Sequence, residues 1–311
     1  MTLTKKSKDF FALKLFAIAV LFPLVLFSCN REQNSSSYPY FFNGLDLAGQ
    51  MVALVKEPQT IISLAPSNTE IVYALGASEK LIAVTNFCDY PAEAKSKDKV
   101  GDLMNLNLEK VIKLSPELVL ASTQLLPEKR KILEDAHISV AVTEGTSLAQ
   151  TIESIILIGR LINREAKAKE IASQLEQSIA HIKAKTEKLA RPKVYYIVSF
   201  GQYGNWTCGK GSFMDELISL AGGENVAHNL NQPWAEFSLE KLVTLDPDIL
   251  LAGKYSGPIE NIKNEAGYRE LTAVKEGRLY VLDDNLTSRP GPRLADGLAL
   301  IAKTIHPEVF P

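Results

Sequence analysis

The sequence predicts an α/β protein of two lobes, each with a mostly parallel central sheet, joined by one long rigid backbone helix. Three observations carry that prediction. From about residue 60 onward, short apolar runs alternate with helical stretches, the pattern of parallel strands covered by helices. Residues 108–122 align without a gap with residues 239–253, an offset of 131, and seven of the 15 positions are identical. Between the two copies, residues 164–189 contain neither Gly nor Pro, and Ile171, Leu175, Ile179, Ile182 and Leu189 recur at helical spacing. At 1.5 Å per residue a helix over that stretch would span roughly 39 Å.

The elements follow in order. Residues 61–64, 81–84, 118–121 and 138–142 read as strands of the first lobe, with helices near 68–75, 107–114 and 127–136. Ser67-Asn68-Thr69-Glu70 has the Ser-x-x-Glu form of a capping box, and Gly76 suits the end of the helix it would open. The connecting helical region covers about 147–190. The second lobe opens with the strand Val194-Tyr195-Tyr196-Ile197-Val198. It continues through helices near 212–221 and 238–245, strands at 248–252 and 279–282, and a final helix over 293–305. Each repeat copy is a short helix, a proline turn and a buried strand. Like lobes across a stiff helix imply a cleft between them, a favoured place for a ligand.

Composition narrows the function. The chain has 311 residues, 46% hydrophobic and 23% charged, too large for one ordinary core and too apolar for disorder. Net charge is −2; four lysines and one aspartate lie in residues 1–28, so the remainder carries −5. A mildly acidic body speaks against nucleic acid as a partner. Three cysteines, at 29, 88 and 208, exclude a disulfide scaffold and a four-cysteine zinc site. Cys88 and Cys208 fall in loops on the expected cleft side, one per lobe, and read as free thiols. The four histidines, His137, His181, His228 and His306, are scattered, unlike the ligands of a zinc or manganese receptor. No Gly-x-Ser-x-Gly, phosphate loop or His-Glu-x-x-His segment supports an enzyme.

The N-terminus gives an address. Lys5, Lys6, Lys8 and Lys14 precede an uncharged run over residues 15–27 that contains Pro23. The run is short of the roughly 20 residues of a spanning helix and fits the core of a signal peptide, residues 1–28. It ends in Leu26-Phe27-Ser28-Cys29, which resembles a bacterial lipobox and implies cleavage before Cys29 and lipidation of its thiol. Residues 29–39 are polar and serine-rich, suited to a flexible tether. The expected organisation is then an N-terminal lobe over 40–146, the connecting region over 147–190 and a C-terminal lobe over 191–311. The expected location is periplasmic or cell-surface, with the membrane reached only through the anchor.

Several motifs in one order make a resemblance specific. They are Ile61-Ile62-Ser63-Leu64-Ala65-Pro66-Ser67-Asn68-Thr69-Glu70, Asn86-Phe87-Cys88-Asp89-Tyr90-Pro91, Gly101, and Asn107-Leu108-Glu109-Lys110. Residues 206–211, Ala221-Gly222-Gly223-Glu224-Asn225 and Arg289-Pro290-Gly291-Pro292-Arg293 follow. Over roughly residues 40–306 the chain resembles the cobalamin/ferric-siderophore substrate-binding proteins, the rigid-helix (class III) extracytoplasmic receptors of ABC importers. The resemblance implies capture of a ligand between the lobes, no catalysis, and a permease dimer with its ATPase as partner. It implies docking through one glutamate per lobe, Glu109 and Glu240, each two residues past an N-cap, Asn107 or Ser238. It places Phe87, Leu103, Ser122, Trp234 and Arg289 at the cleft lip; Arg293, nearer a helix start, reads as structural.

Cobalamin-binding members set large aromatics at several lip positions, and here Leu103 and Ser122 stand where tryptophan is expected. Tyr90, Tyr203 and Trp206 on neighbouring loops would restore an aromatic wall. The expected ligand residues are therefore Phe87, Tyr90, Leu103, Ser122, Trp206, Trp234 and Arg289. The expected ligand is cobalamin or a related corrinoid; the alternative is heme or a ferric siderophore, with Tyr203 or His228 as an iron ligand for heme. No resident cofactor or metal is expected, since any metal would arrive inside the transported macrocycle or chelate.

Overall fold

The computed structural model describes residues 40–102 and 104–310. The expectations for Cys29 and Leu103 lie outside the described residues. The chain opens with an antiparallel hairpin, β1 (Phe42–Leu45) and β2 (Met51–Leu54), which the sequence pattern had not indicated. Then come β3 (Ile61–Ser63), α1 (Pro66–Ala74), β4 (Leu81–Val84), β5 (Asp98–Lys99), α2 (Leu108–Leu114), β6 (Leu118–Ala121), α3 (Pro127–Asp135) and β7 (Ser139–Val142). The five strands from β3 to β7 form one parallel sheet in the order β5-β4-β3-β6-β7. Of its three inner strands, β3 and β6 are buried at every position and β4 at all but Ile82. A parallel strand is covered on both faces, so it reads as an unbroken apolar run.

Two helices connect the lobes. Helix α4 (Leu148–Leu161) is capped by Ser147, whose Oγ accepts from the Gln150 N–H at 3.2 Å. A three-residue turn at Ile162, Asn163 and Arg164, with Asn163 left-handed at φ 60°, reverses the chain into α5 (Glu165–Thr186). The 22 residues of α5 are about 33 Å long. The helices pack closely: a Cβ on Gly159 would lie 2.3 Å from that of Ala168. Helix α4 rests on α1 of the first lobe, while α5 rests on α6 and α10 of the second.

The second lobe contains β8 (Lys193–Ile197), β9 (Trp206–Cys208), α6 (Phe213–Leu220), β10 (Glu224–Asn225), β11 (Trp234–Glu236), α7 (Leu239–Leu245) and β12 (Ile249–Gly253). It ends with α8 (Thr272–Lys275), β13 (Leu279–Leu282), α9 (Asp284–Thr287) and α10 (Leu294–Ile305). A four-stranded parallel sheet runs β10-β8-β12-β13, and β9 and β11 form a separate antiparallel ribbon.

The sequence repeat is a structural repeat. The bounds of α7 and of the first four residues of β12 fall 131 residues after those of α2 and β6. Asn107 Oδ1 accepts from the Lys110 N–H at 2.8 Å, and Ser238 Oγ from the Lys241 N–H at 3.2 Å. Both helices end in a left-handed residue before the proline, Ser115 at φ 47° and Asp246 at φ 41°.

The expected capping box does not form. Helix α1 begins at Pro66, so Ser67 already lies inside the first turn and Ala65 occupies the cap. A proline at the first helical position needs no N–H partner. Ser67 donates its hydroxyl to Glu144 Oε1 at 2.8 Å, and Glu70 turns to two arginines of the other lobe. Gly76, at φ 66°, does follow the helix end as expected.

One hydrophobic core belongs to the first lobe, around Ile62, Val111, Val119 and Leu133, and one to the second, around Tyr195, Leu242, Leu250 and Tyr268. The largest is shared. It runs from Ile71 and Val72 of α1 through Ile155 and Ile158 of α4 and Leu175 and Ile182 of α5 to Leu217 of α6 and Leu298 of α10. The body from Pro39 onward is thus a unit with its own cores.

Candidate ligand-binding site

The carboxyl ends of both parallel sheets open on one cavity of about 790 Å³. In open α/β sheets, loops at this end are where ligands bind. The first lobe contributes the turn after β3 (Leu64, Ala65, Pro66), the loop after β4 (Thr85, Asn86, Phe87, Asp89), Ser122 and Gln124 after β6, and Glu144 after β7. The second contributes Tyr196 and Val198 at the end of β8, Tyr255 and Ser256 after β12, and Asp284, Asn285, Ser288 and Arg289 after β13. A large aromatic ring stands largely free on each lobe, Phe87 at 63% and Tyr255 at 79% exposure. Such rings supply broad apolar contact at little entropic cost.

Arg289 is held at the lobe boundary. Its Nη1 lies 2.8 Å from Asp89 Oδ1 and 3.0 Å from Glu70 Oε1, and its Nη2 donates to the Phe87 carbonyl at 3.4 Å. Burial pulls the Asp89 carboxyl up, but the Arg289 guanidinium outweighs it and leaves Asp89 below the ordinary carboxylate range. Arg293 also binds Glu70, and its guanidinium lies 3.6 Å from the ring centroid of Tyr90. Asp284 sits against the last residue of β12; a Cβ on Gly253 would fall 2.0 Å from its Oδ1. The Tyr196 phenol is pushed up by burial and then by the Asp284 charge.

Of the expected ligand residues, Phe87, Ser122 and Arg289 line this cavity. Tyr90 instead lines a separate hollow of about 750 Å³ with Tyr73, Glu93 and Arg293. Trp206 and Trp234 stand half-exposed on the β9–β11 ribbon and do not line the cavity. The Trp206 carbonyl accepts from the Val198 N–H at 2.9 Å, which places its strand beside the cavity wall. Trp234 packs edge-on against Phe213, with centroids 5.9 Å apart.

The two residues suggested as iron ligands are also elsewhere. Tyr203 is exposed beyond β8, and the His228 ring lies 3.0 Å from Asp215 in another hollow. Cys88 and Cys208 are free and buried rather than open to the cleft, and burial raises both thiols. Glu109 and Glu240 are exposed in the first turns of α2 and α7, and neither carboxylate has an ion-pair partner among the described residues. Among those residues no group of three or more His, Cys, Asp or Glu could hold a metal, and no helix is long and apolar enough to cross a membrane.

Tyr255, Glu144 and Asp284 were missed from the sequence. The repeat could have found Tyr255. Carried two residues past its end, the offset of 131 sets it opposite Gln124, and both line the cavity.

Residues 61–286 match the Periplasmic binding protein family. The chain belongs to this family. It is a substrate-binding protein of an ABC transporter, not an enzyme. The family's members bind a small-molecule ligand and work with a permease and its ATPase.

Among its relatives is a Bacillus subtilis protein named uncharacterized ABC transporter substrate-binding lipoprotein YvrC, 36% identical over 90% of this chain and 89% of the relative. A Vibrio parahaemolyticus protein named vitamin B12-binding protein is 28% identical over 84% of this chain and 92% of its own length. A solved structure from Staphylococcus epidermidis, described as a possible iron-binding (periplasmic solute-binding) protein, superposes with a TM-score of 0.71 at 33% identity. It covers 81% of this chain and 100% of its own. The family's fold is the expected one, two α/β lobes with α5 as the long connecting helix.

Proposed function

We propose that this substrate-binding protein is a lipid-anchored receptor that captures cobalamin or a related corrinoid between its lobes. The observation that carries the reading is the cavity at the carboxyl ends of both sheets, with Phe87 and Tyr255 standing free, one ring on each lobe. A corrin is a flat macrocycle edged with amides. The two rings offer it apolar surface, and Asn86, Gln124 and Asn285 offer amide partners on the cavity wall. Relatives named vitamin B12-binding proteins support the same ligand class.

Heme or a ferric siderophore is the second reading. The name of the Staphylococcus epidermidis structure favours it, and Tyr255 carries a phenol of the kind that ligates iron.

Glu109 and Glu240 dock the receptor on the permease dimer in this proposal. They occupy equivalent positions of the structural repeat, so a pseudo-symmetric receptor presents one free carboxylate per lobe to a two-fold partner. Lipidation of Cys29 tethers the body at the periplasmic or cell surface, consistent with the lipoprotein name of the Bacillus subtilis relative.

Calorimetric titration of residues 39–311 with cyanocobalamin, heme and ferric siderophores tests the ligand. Cyanocobalamin binding that weakens at least ten-fold in Tyr255→Ala is the expected result. Binding of heme or a siderophore alone shifts the protein to the second reading, and binding of none of them sinks both.

A further inference from the structure

The charged side chains that line the cavity are Asp89, Glu144, Asp284 and Arg289; no lysine or histidine joins them. Arg289 is already committed to Asp89 and Glu70. That leaves two carboxylates, one from each lobe, with no ion-pair partner among the described residues. Glu144 accepts the Ser67 hydroxyl, and Asp284 accepts the Tyr255 N–H at 3.3 Å and the Ser288 hydroxyl at 3.4 Å. Lys254 is exposed outside the lining, with its ammonium 4.8 Å from the Tyr255 ring centroid.

We propose that Glu144 and Asp284 make the cleft select a ligand without net negative charge, one that brings a positive centre or N–H donors to both carboxylates. The inference rests on the receptor reading and narrows its ligand class. A carboxylate with only neutral donors keeps its field, and a concave wall with an excess of one sign concentrates it. An anionic chelate would have to approach both charges; Lys254, outside the lining, acts on Asp284 without pairing with it among the described residues. Such a juxtaposition rejects the wrong ligand more strongly than it attracts the right one. Donors on a neutral or cationic ligand would find strong acceptors there, since hydrogen bonds to ionised groups are the stronger kind.

The field can be read in the empty cleft. Amide-proton relaxation is measured on residues 39–311 with two nitroxides of equal size, one cationic and one anionic. At Ser122, Gln124, Tyr255 and Ser256 the cationic probe should relax protons at least two-fold more than the anionic one. The difference should vanish in Glu144→Gln/Asp284→Asn. If that double variant does not fold, Glu144→Gln alone, at a half-buried position, should diminish it. Equal relaxation by the two probes, or stronger relaxation by the anionic one, overturns the proposal.

The ligand titration separates this failure from failure of the receptor reading. Tighter binding of anionic heme than of neutral cyanocobalamin overturns the charge selection and leaves a receptor. A cation-selective field with no binding of either supports the charge selection and removes the macrocycle.

Discussion

Arg293 lays two N–H groups on the Glu70 carboxylate across the lobe boundary, Nε on Oε2 at 2.8 Å and Nη2 on Oε1 at 2.7 Å. The Glu70 side chain is 3% exposed, and Arg289 reaches it as a third donor. Removing one partner of a buried pair leaves the other charge unpaired, which typically costs about 3–5 kcal/mol. Glu70→Ala should therefore lower the unfolding free energy of the body by about 3 kcal/mol or more, and Arg293→Ala by less, because Arg289 remains on Glu70. Urea unfolding of the two variants checks the order.

Asp89 makes part of this boundary sensitive to acid. Its folded pKa lies below the ordinary value because Arg289 outweighs the opposing effect of burial. A depressed carboxylate contributes stability that is fully present above its unfolded pKa of about 4 and is lost as pH falls through the folded value. Arg289→Ala should remove that contribution. The melting temperature of the variant should then fall less steeply below about pH 4 than that of the parent; parallel curves would show that the pair does not set the slope.

Gly253 is required by Asp284. With a Cβ 2.0 Å from Oδ1, Gly253→Ala must push the carboxylate away or distort the end of β12. Forced overpacking of this kind costs roughly 1–3 kcal/mol. Thermal unfolding should register the loss, and calorimetry should show weaker capture of whichever ligand the parent binds.

Glu109→Ala with Glu240→Ala should abolish uptake in cells while ligand affinity in vitro is unchanged. Each carboxylate supports its helix by about 0.3–1 kcal/mol at most, so the melting temperature should move little. Normal uptake by the double variant would remove the docking role.

The repeat was legible because its two copies use the same local grammar: an N-cap, Asn107 or Ser238, then an apolar strand after a proline. Inner strands such as β6 were legible because burial on both faces writes an unbroken apolar run. The hairpin β1–β2 and the ribbon β9–β11 were not, since three or four residues are too few to show a period of two. The misread capping box has a different cause. Ser67 and Glu70 have the right spacing for a local bond, but Pro66 starts the helix two residues earlier than a Ser67 cap would, and partners from 77 and 223 residues away take both side chains. The site was legible in a different way: the family resemblance, not a local pattern, pointed to Phe87, Ser122 and Arg289, which line the cavity, whereas Glu144 carries no local signal and joins the cavity through its contact with Ser67 of α1.

The unbroken core through α1, α4, α5, α6 and α10 has a mechanical consequence. Swinging the lobes apart would tear voids in a close-packed interior, at about 24 cal/mol for each Å³ opened. The body therefore flexes as a stiff spring and has no free joint. Filling the cleft should leave its X-ray scattering profile almost unchanged, and little of the energy of capture is stored as shape. A partner gripping both lobes would therefore strain the cleft through this shared core and not through a hinge.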